Sequence, residues 1–152
     1  MYKNFSIIIL FLFFLNSCGY SPIYTKNSDK KFNLEMESFD GDREINTAIK
    51  YNLKRYINQN EGIRILIKTN SKYTKSAGTK NLAGDAKNYN LSATVIFKIL
   101  YGDLEKTYKF SESSTINDIE NQLDETIYET NIKKNFASLF TERLIFQLTK
   151  LK

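Results

Sequence analysis

The sequence predicts an α+β domain in which two helices pack on one face of a four-stranded, mostly antiparallel sheet, in the order β-α-β-β-β-α. Three observations predict it. Four segments alternate apolar and polar residues at the period of a strand, and two repeat apolar residues at helical spacing. The strands also come in a run flanked by helices rather than in strict alternation with them, which favours an α+β order over a doubly wound one.

Phe32, Leu34 and Met36 alternate with polar neighbours up to Phe39 and mark the first strand. Asp40-Gly41-Asp42 is a turn and a helix N-cap. From Arg43, the residues Ile45, Ala48, Ile49, Leu53, Tyr56 and Ile57 recur at helical spacing until Asn60-Glu61-Gly62, so the first helix is expected over 42–59. Ile63, Ile65 and Ile67 open a second strand that weakens towards residue 74. Ser76 to Asp85 holds two glycines and little periodicity, and reads as a loop or as the ends of a long hairpin. Leu91, Ala93, Val95, Phe97 and Ile99 share one face of a third strand from Tyr89 to Tyr101. Gly102-Asp103 is a tight turn, and Leu104 to Ser114 alternates again, so the third and fourth strands are expected to pair as a hairpin. Asn117-Asp-Ile-Glu120 resembles a capping box. Ile119, Leu123, Ile127, Ile132, Phe136, Leu139, Phe140, Leu144, Leu148 and Leu151 follow as one apolar stripe, predicting a second helix that fills most of 117–151.

The amino-terminal segment reads as a secretory signal. Lys3 precedes the apolar run FSIIILFLFFL, from Phe5 to Leu15, which is far shorter than the ~20 residues that span a bilayer. Leu15-Asn16-Ser17-Cys18-Gly19 then looks like the lipobox of bacterial lipoproteins. The thiol of Cys18 is needed there to accept a diacylglyceryl group. Cleavage before Cys18 and acylation of its new amino group would complete the anchor, since two or three chains at about 0.8 kcal/mol per buried methylene hold a protein on a membrane. The expected organisation is a cleaved signal over 1–17, a lipidated tether over 18–31 and one domain over 32–152. Gly19 after the cysteine, by analogy with lipoprotein sorting, points to the outer membrane of a Gram-negative cell, with the domain facing the periplasm.

Composition narrows the chemistry. Without Met1–Ser17 the chain keeps 21 Lys and Arg against 17 Asp and Glu, a mild positive bias. That bias suits a lipid headgroup or a glycolipid phosphate; an exported chain has little occasion to meet nucleic acid, and no nucleic-acid partner is expected. One Cys and no His or Trp exclude an internal disulfide and disfavour a zinc site. Nucleophile–His pairs cannot be built and no G-x-S-x-G turn occurs; Glu35, Glu37, Glu112 and the acids of Asp118–Glu129 are expected along solvated faces, with no pair converging as acid and base, so no catalytic site, metal or cofactor is expected.

The lipobox, the opening Cys18-Gly19-Tyr20-Ser21-Pro22-Ile23-Tyr24, the element order and the long final helix together resemble the lipopolysaccharide-assembly lipoprotein family (LptE-like), in its α-proteobacterial form. The resemblance covers essentially the whole chain after the signal. It implies a plug inside the large outer-membrane β-barrel that delivers lipopolysaccharide to the outer leaflet. The barrel and lipopolysaccharide would be the partners, and the acyl groups on Cys18 the only attached groups. A lipoprotein subunit of another envelope complex, such as a secretin pilot or a lipid-transporter auxiliary protein, is the alternative.

Between the second and third strands, Lys72, Lys75, Lys80 and Lys87 stand with Tyr73 and Tyr89 and only Asp85 opposing them. Cations beside aromatic rings could hold the phosphates and sugars of a glycolipid; the competing reading is a solvated loop. Lys54, Arg55 and Arg64 form a second basic group, for which a structural role at the end of the first helix is favoured. Tyr20, Pro22 and Tyr24 could set how the domain leaves the membrane or could belong to a simple tether.

Overall fold

The computed structural model describes residues 32–57 and 62–151. The signal, Cys18, the tether with Tyr20, Pro22 and Tyr24, and residues 58–59 at the end of the expected first helix lie outside the described residues. The elements are β1 (Phe32–Gly41), α1 (Arg43–Leu53), β2 (Ile63–Ala77), β3 (Asn88–Tyr101), β4 (Leu104–Asn117) and α2 (Gln122–Leu148). The sheet order is β1-β2-β3-β4. β1 runs parallel to β2, because α1 carries the chain back between them, while β2–β3 and β3–β4 are antiparallel. The architecture is the expected one.

Each strand presents one apolar face to the helices. Leu34 and Met36 pair with Ile65 and Ile67; a bulge between Met36 and Ser38 then shifts the register so that Phe39 pairs with Thr69. The bulge explains why Leu34, Met36 and Phe39 all reach the core although they do not alternate strictly. Ile65, Ile67, Val95, Phe97 and Ile99 continue the face, and Ile45, Ile49 and Leu53 of α1 with Phe136, Phe140, Leu144 and Leu148 of α2 cover it.

Four boundaries differ from expectation. α1 stops at Leu53 and tightens into a 3-10 turn over Lys54–Tyr56. β2 runs to Ala77, where it still pairs with Tyr89, so the loop lies over residues 78–87 rather than 76–85. β4 continues to Asn117 because Ile116 is buried opposite Tyr89. The capping-box residues therefore lie before the helix, and Asn121 caps α2 by accepting from Leu123 and Asp124 N–H at 2.9 and 3.3 Å. Along α2 the apolar stripe also breaks: Leu123 and Ile127 are 67% and 52% exposed. Glu125 and Glu129 take their place towards the sheet, where both meet the Lys75 ammonium.

The corner where β1 turns into α1 is built from close contacts. Gly41 has φ +95°, and a Cβ there would lie 1.7 Å from the Ser71 carbonyl oxygen. Only glycine fits both constraints. Next to it, the Asp42 N–H donates to Ser71 O at 3.2 Å, and Asp42 accepts from the Ile45 N–H at 2.9 Å to cap α1. The buried Ser71 hydroxyl donates to Asn46 Oδ1 at 2.8 Å, and Asn46 Nδ2 donates to Asp40 O at 2.9 Å.

Lys133 ties α2 to the same corner. Its ammonium lies 2.7 Å from Glu44, 3.4 Å from Asp42 and 3.9 Å from Glu129, and 4.3 Å over the Tyr73 ring. Burial opposes the charge on Lys133, but the hydrogen bond to Glu44 and the charges of Asp42 and Glu44 outweigh it and raise its pKa. The Tyr73 hydroxyl is shut away from solvent without a well-formed hydrogen bond among the described residues. Its burial, and then the Glu129 carboxylate nearby, raise its pKa strongly.

Two outcomes are expected. Gly41→Ala destabilises the domain by about 3 kcal/mol, read as a drop in urea midpoint, because the strained backbone and the clash with Ser71 add; an unchanged midpoint would contradict the corner described here. Raised pKa values for a lysine and a tyrosine both stabilise the fold at pH values below about 10, where these groups titrate in unfolded chains, and that stability is lost as pH rises through the folded values. The melting temperature should therefore fall above about pH 10. Lys133→Met should cost about 2 kcal/mol at pH 7 and flatten the alkaline fall; a melting profile of the same shape in the variant would refute the assignment.

Candidate functional site

The four candidate lysines do not form one cluster. Lys72 and Lys75 belong to β2 rather than to the loop, and point to opposite faces of the sheet. Lys75 lies on the helix side, 2.6 Å from Glu125 and 3.0 Å from Glu129, with its ammonium 4.8 Å over the Tyr89 ring. The hydrogen bond to Glu125 is the main reason its pKa is raised. Lys75 is thus a clamp that fastens the first turns of α2. Lys72 is exposed on the opposite, uncovered face, in line with Thr94 and Ser111.

Lys80 and Lys87 are exposed in the loop, which is ordered by its own bonds. Lys80 bridges Ala86, the Lys87 N–H donates to Thr79 O at 2.8 Å, and Asp118 N–H donates to Lys87 O at 2.9 Å. Asp85, the expected counter-charge, is occupied within the loop by Asn81, whose Nδ2 donates to Asp85 Oδ2 at 3.0 Å. Of the second basic group, Arg64 is paired with Glu35 at 2.6 Å and Arg55 stacks 4.9 Å over Tyr56. Glu37 binds Lys68 at 2.9 Å, and Glu112 pairs with Arg143 of α2. These acids serve separate ion pairs, and the two acids that do converge, Glu125 and Glu129, meet on Lys75 as partners of a cation.

Sequence reasoning missed the face of the sheet that no helix of the described residues covers. Thr74 and Ser76 of β2, Asn90, Ser92 and Thr94 of β3, and Ser111, Ser113 and Thr115 of β4 lie side by side there. They bond across strands: Thr74 to Ser92 at 2.7 Å, Thr94 to Ser111 at 2.9 Å, and the Thr115 hydroxyl to Asn90 Oδ1 at 3.0 Å. Lys68, Lys98 and Lys109 stand at the other end of the same face, beside Leu66, Ile96 and Leu100, with Lys98 directly opposite Lys68. The signal was present in the alternate positions of the three strands, where Ser, Thr, Asn and Lys outnumber the apolar Leu66, Ile96 and Leu100. Such a face offers hydroxyl donors and acceptors with a cationic border. It suits contact with water, a glycan or a polar protein wall.

On the helical side, a groove of about 940 Å³ runs between α1 and α2, lined by Arg43, Thr47, Tyr51, Lys134 and Ser138 among others. No helix of the described residues is long and apolar enough to cross a membrane.

No family model matches this chain, and no curated protein does. Solved structures do. The rare lipoprotein B from Shewanella oneidensis superposes with a TM-score of 0.56 at 14% identity, over 75% of this chain and 93% of that one. An uncharacterized lipoprotein B from Nitrosomonas europaea gives a TM-score of 0.53 at 12% identity, over 80% of this chain and 87% of that one. The β-α-β-β-β-α chain shares its fold with these two bacterial lipoproteins.

Proposed function

We propose that this chain is an outer-membrane lipoprotein, anchored through acyl groups on Cys18 and facing the periplasm. In this reading it plugs the lipopolysaccharide-transport β-barrel, assists its assembly and helps deliver lipopolysaccharide to the outer leaflet. It acts by binding and has no catalytic role, metal or cofactor beyond the acyl groups. The observation that carries the reading is the predominantly polar uncovered sheet face, with hydroxyls and amides from Thr74 to Thr115 at one end and lysines around Leu66, Ile96 and Leu100 at the other. A domain seated in the water-lined lumen of a large barrel needs a polar outside, whereas one that docks through an apolar patch does not. The lipobox at Cys18 supplies the anchor, and the fold shared with two lipoproteins agrees with it.

Among the candidate lysines, Lys72, Lys80 and Lys87 are the ones exposed and available to phosphate, since Lys75 is committed to Glu125 and Glu129. Replacing those three together by Ala is expected to weaken binding of purified lipopolysaccharide roughly tenfold while leaving the melting temperature unchanged. Lys75→Ala should do the reverse and lower the melting temperature. Equal binding by the triple variant would remove these lysines from the proposal.

The broader test expresses the chain with its own signal in a Gram-negative host, extracts the outer membrane in mild detergent and identifies by mass spectrometry what co-purifies with it and with Cys18→Ala. Stoichiometric recovery of the lipopolysaccharide-export barrel with the native chain is the expected result. Recovery of a secretin, of a lipid transporter or of no partner would overturn the plug reading.

A further inference from the structure

β4 ends the sheet, with no strand of the described residues bonded to its outer side. It is fourteen residues long, pairs with β3 in unbroken register from Asn88–Asn117 to Tyr101–Leu104, and contains no proline. An edge so long and regular is a template for another strand. The opposite edge is blunted: β1 carries a bulge between Met36 and Ser38, and Ile57 bridges Leu34 on its outer side.

α2 adds a second feature beside β4. Tyr128, Ile132, Leu139, Arg143 and Phe146 recur at helical spacing and share one flank. Arg143 ties that flank to β4 through Glu112. Tyr128, Leu139 and Phe146 are exposed on it, at 47%, 40% and 55%.

We propose that this edge and flank form an interface for a second copy of this chain, with the two β4 strands pairing antiparallel about a twofold axis through Phe110. One continuous sheet results. Residues directly opposite each other share a face, so Lys106 meets Ser114, Tyr108 meets Glu112, Lys109 meets Ser111 and Glu105 meets Thr115, and no like charges collide. An axis one residue earlier would set Lys109 against itself. The same axis keeps the helices of both copies on one face, where the two exposed α2 flanks meet and bury their aromatic and aliphatic side chains. A second copy fits because β4 itself has the pattern an added strand requires: Tyr108 and Phe110 face the helices, and Thr107, Ser111, Ser113 and Thr115 face the open side.

The test uses the full-length chain, expressed with its signal and sedimented in density-matched detergent over a wide concentration range. A reversible dimer is expected. Ser111→Lys sets two lysine pairs face to face and should weaken the dimer roughly tenfold, and Lys109→Glu combined with Ser111→Lys should restore it. Lys109→Cys combined with Ser111→Cys should form an intermolecular disulfide under mild oxidation that neither single substitution forms efficiently. A monomer at every concentration, a dimer indifferent to Ser111→Lys, or a double-cysteine chain that fails to cross-link would each overturn the proposal.

Discussion

The contact between Gly41 and Ser71 is the constraint on which the rest of the domain hangs. Because the backbone passes without a side chain against Ser71, β1 can turn at once into α1 and still lie parallel to β2. The turn places Asp42 where it caps α1 and also meets Lys133 of α2. It likewise places Asn46 over the Ser71 hydroxyl. One close approach thus sets the angle of the first helix, and the first helix, through Glu44 and Asp42, sets where the second one crosses. The apolar burial of Ile45, Ile49, Phe140 and Leu144 supplies most of the driving force, but it is non-directional; the polar corner gives it a single geometry.

The same arrangement divides the sheet into two chemically different faces. Both helices lie on one side, so the alternate side chains of β2, β3 and β4 need no apolar partner, and most of them are Ser, Thr, Asn or Lys, with Leu66, Ile96 and Leu100 as the apolar exceptions. Their mutual hydrogen bonds keep the hydroxyls aligned in the absence of a covering layer. A sheet covered on one side only is a common economy in small antiparallel domains. Here the uncovered side is polar enough to rest against water or a wetted wall, with Lys68, Lys98 and Lys109 at one end.

Much of this was legible in the residues, and the misreadings have physical causes. Period-two alternation identified β3 and β4 because Leu91 to Ile99 and Tyr108 to Phe110 obey it without interruption. The start of α2 was misplaced because Asn117 to Glu120 imitate a capping box, while the burial of Ile116 opposite Tyr89 holds that segment in the sheet. Leu123 and Ile127 continue the apolar spacing of the helix, yet they face outward. The ion pairs of Lys75 with Glu125 and Glu129 decide which side of those turns meets the sheet, and such long-range charge contacts leave no periodic trace. Lys75 was assigned to a loop for the same reason, since the end of β2 is fixed by pairing with β3 rather than by its own composition. The open face went unread because attention to apolar positions treats their alternates as filler.

The layout of β2, β3 and β4 also has a kinetic side. These three strands form an uninterrupted meander, and the two-residue turn at Gly102-Asp103 brings β3 and β4 together with little loss of loop entropy. β1 has no such neighbour: its partner lies beyond α1, and parallel pairing must wait for that crossover. The meander is therefore the natural nucleus, although it follows β1 and α1 in the chain. In any process that delivers the polypeptide from its amino end, the first elements to emerge are the last able to settle, and Phe32 to Leu53 must stay unpaired until Ile63 to Ala77 arrives to receive them.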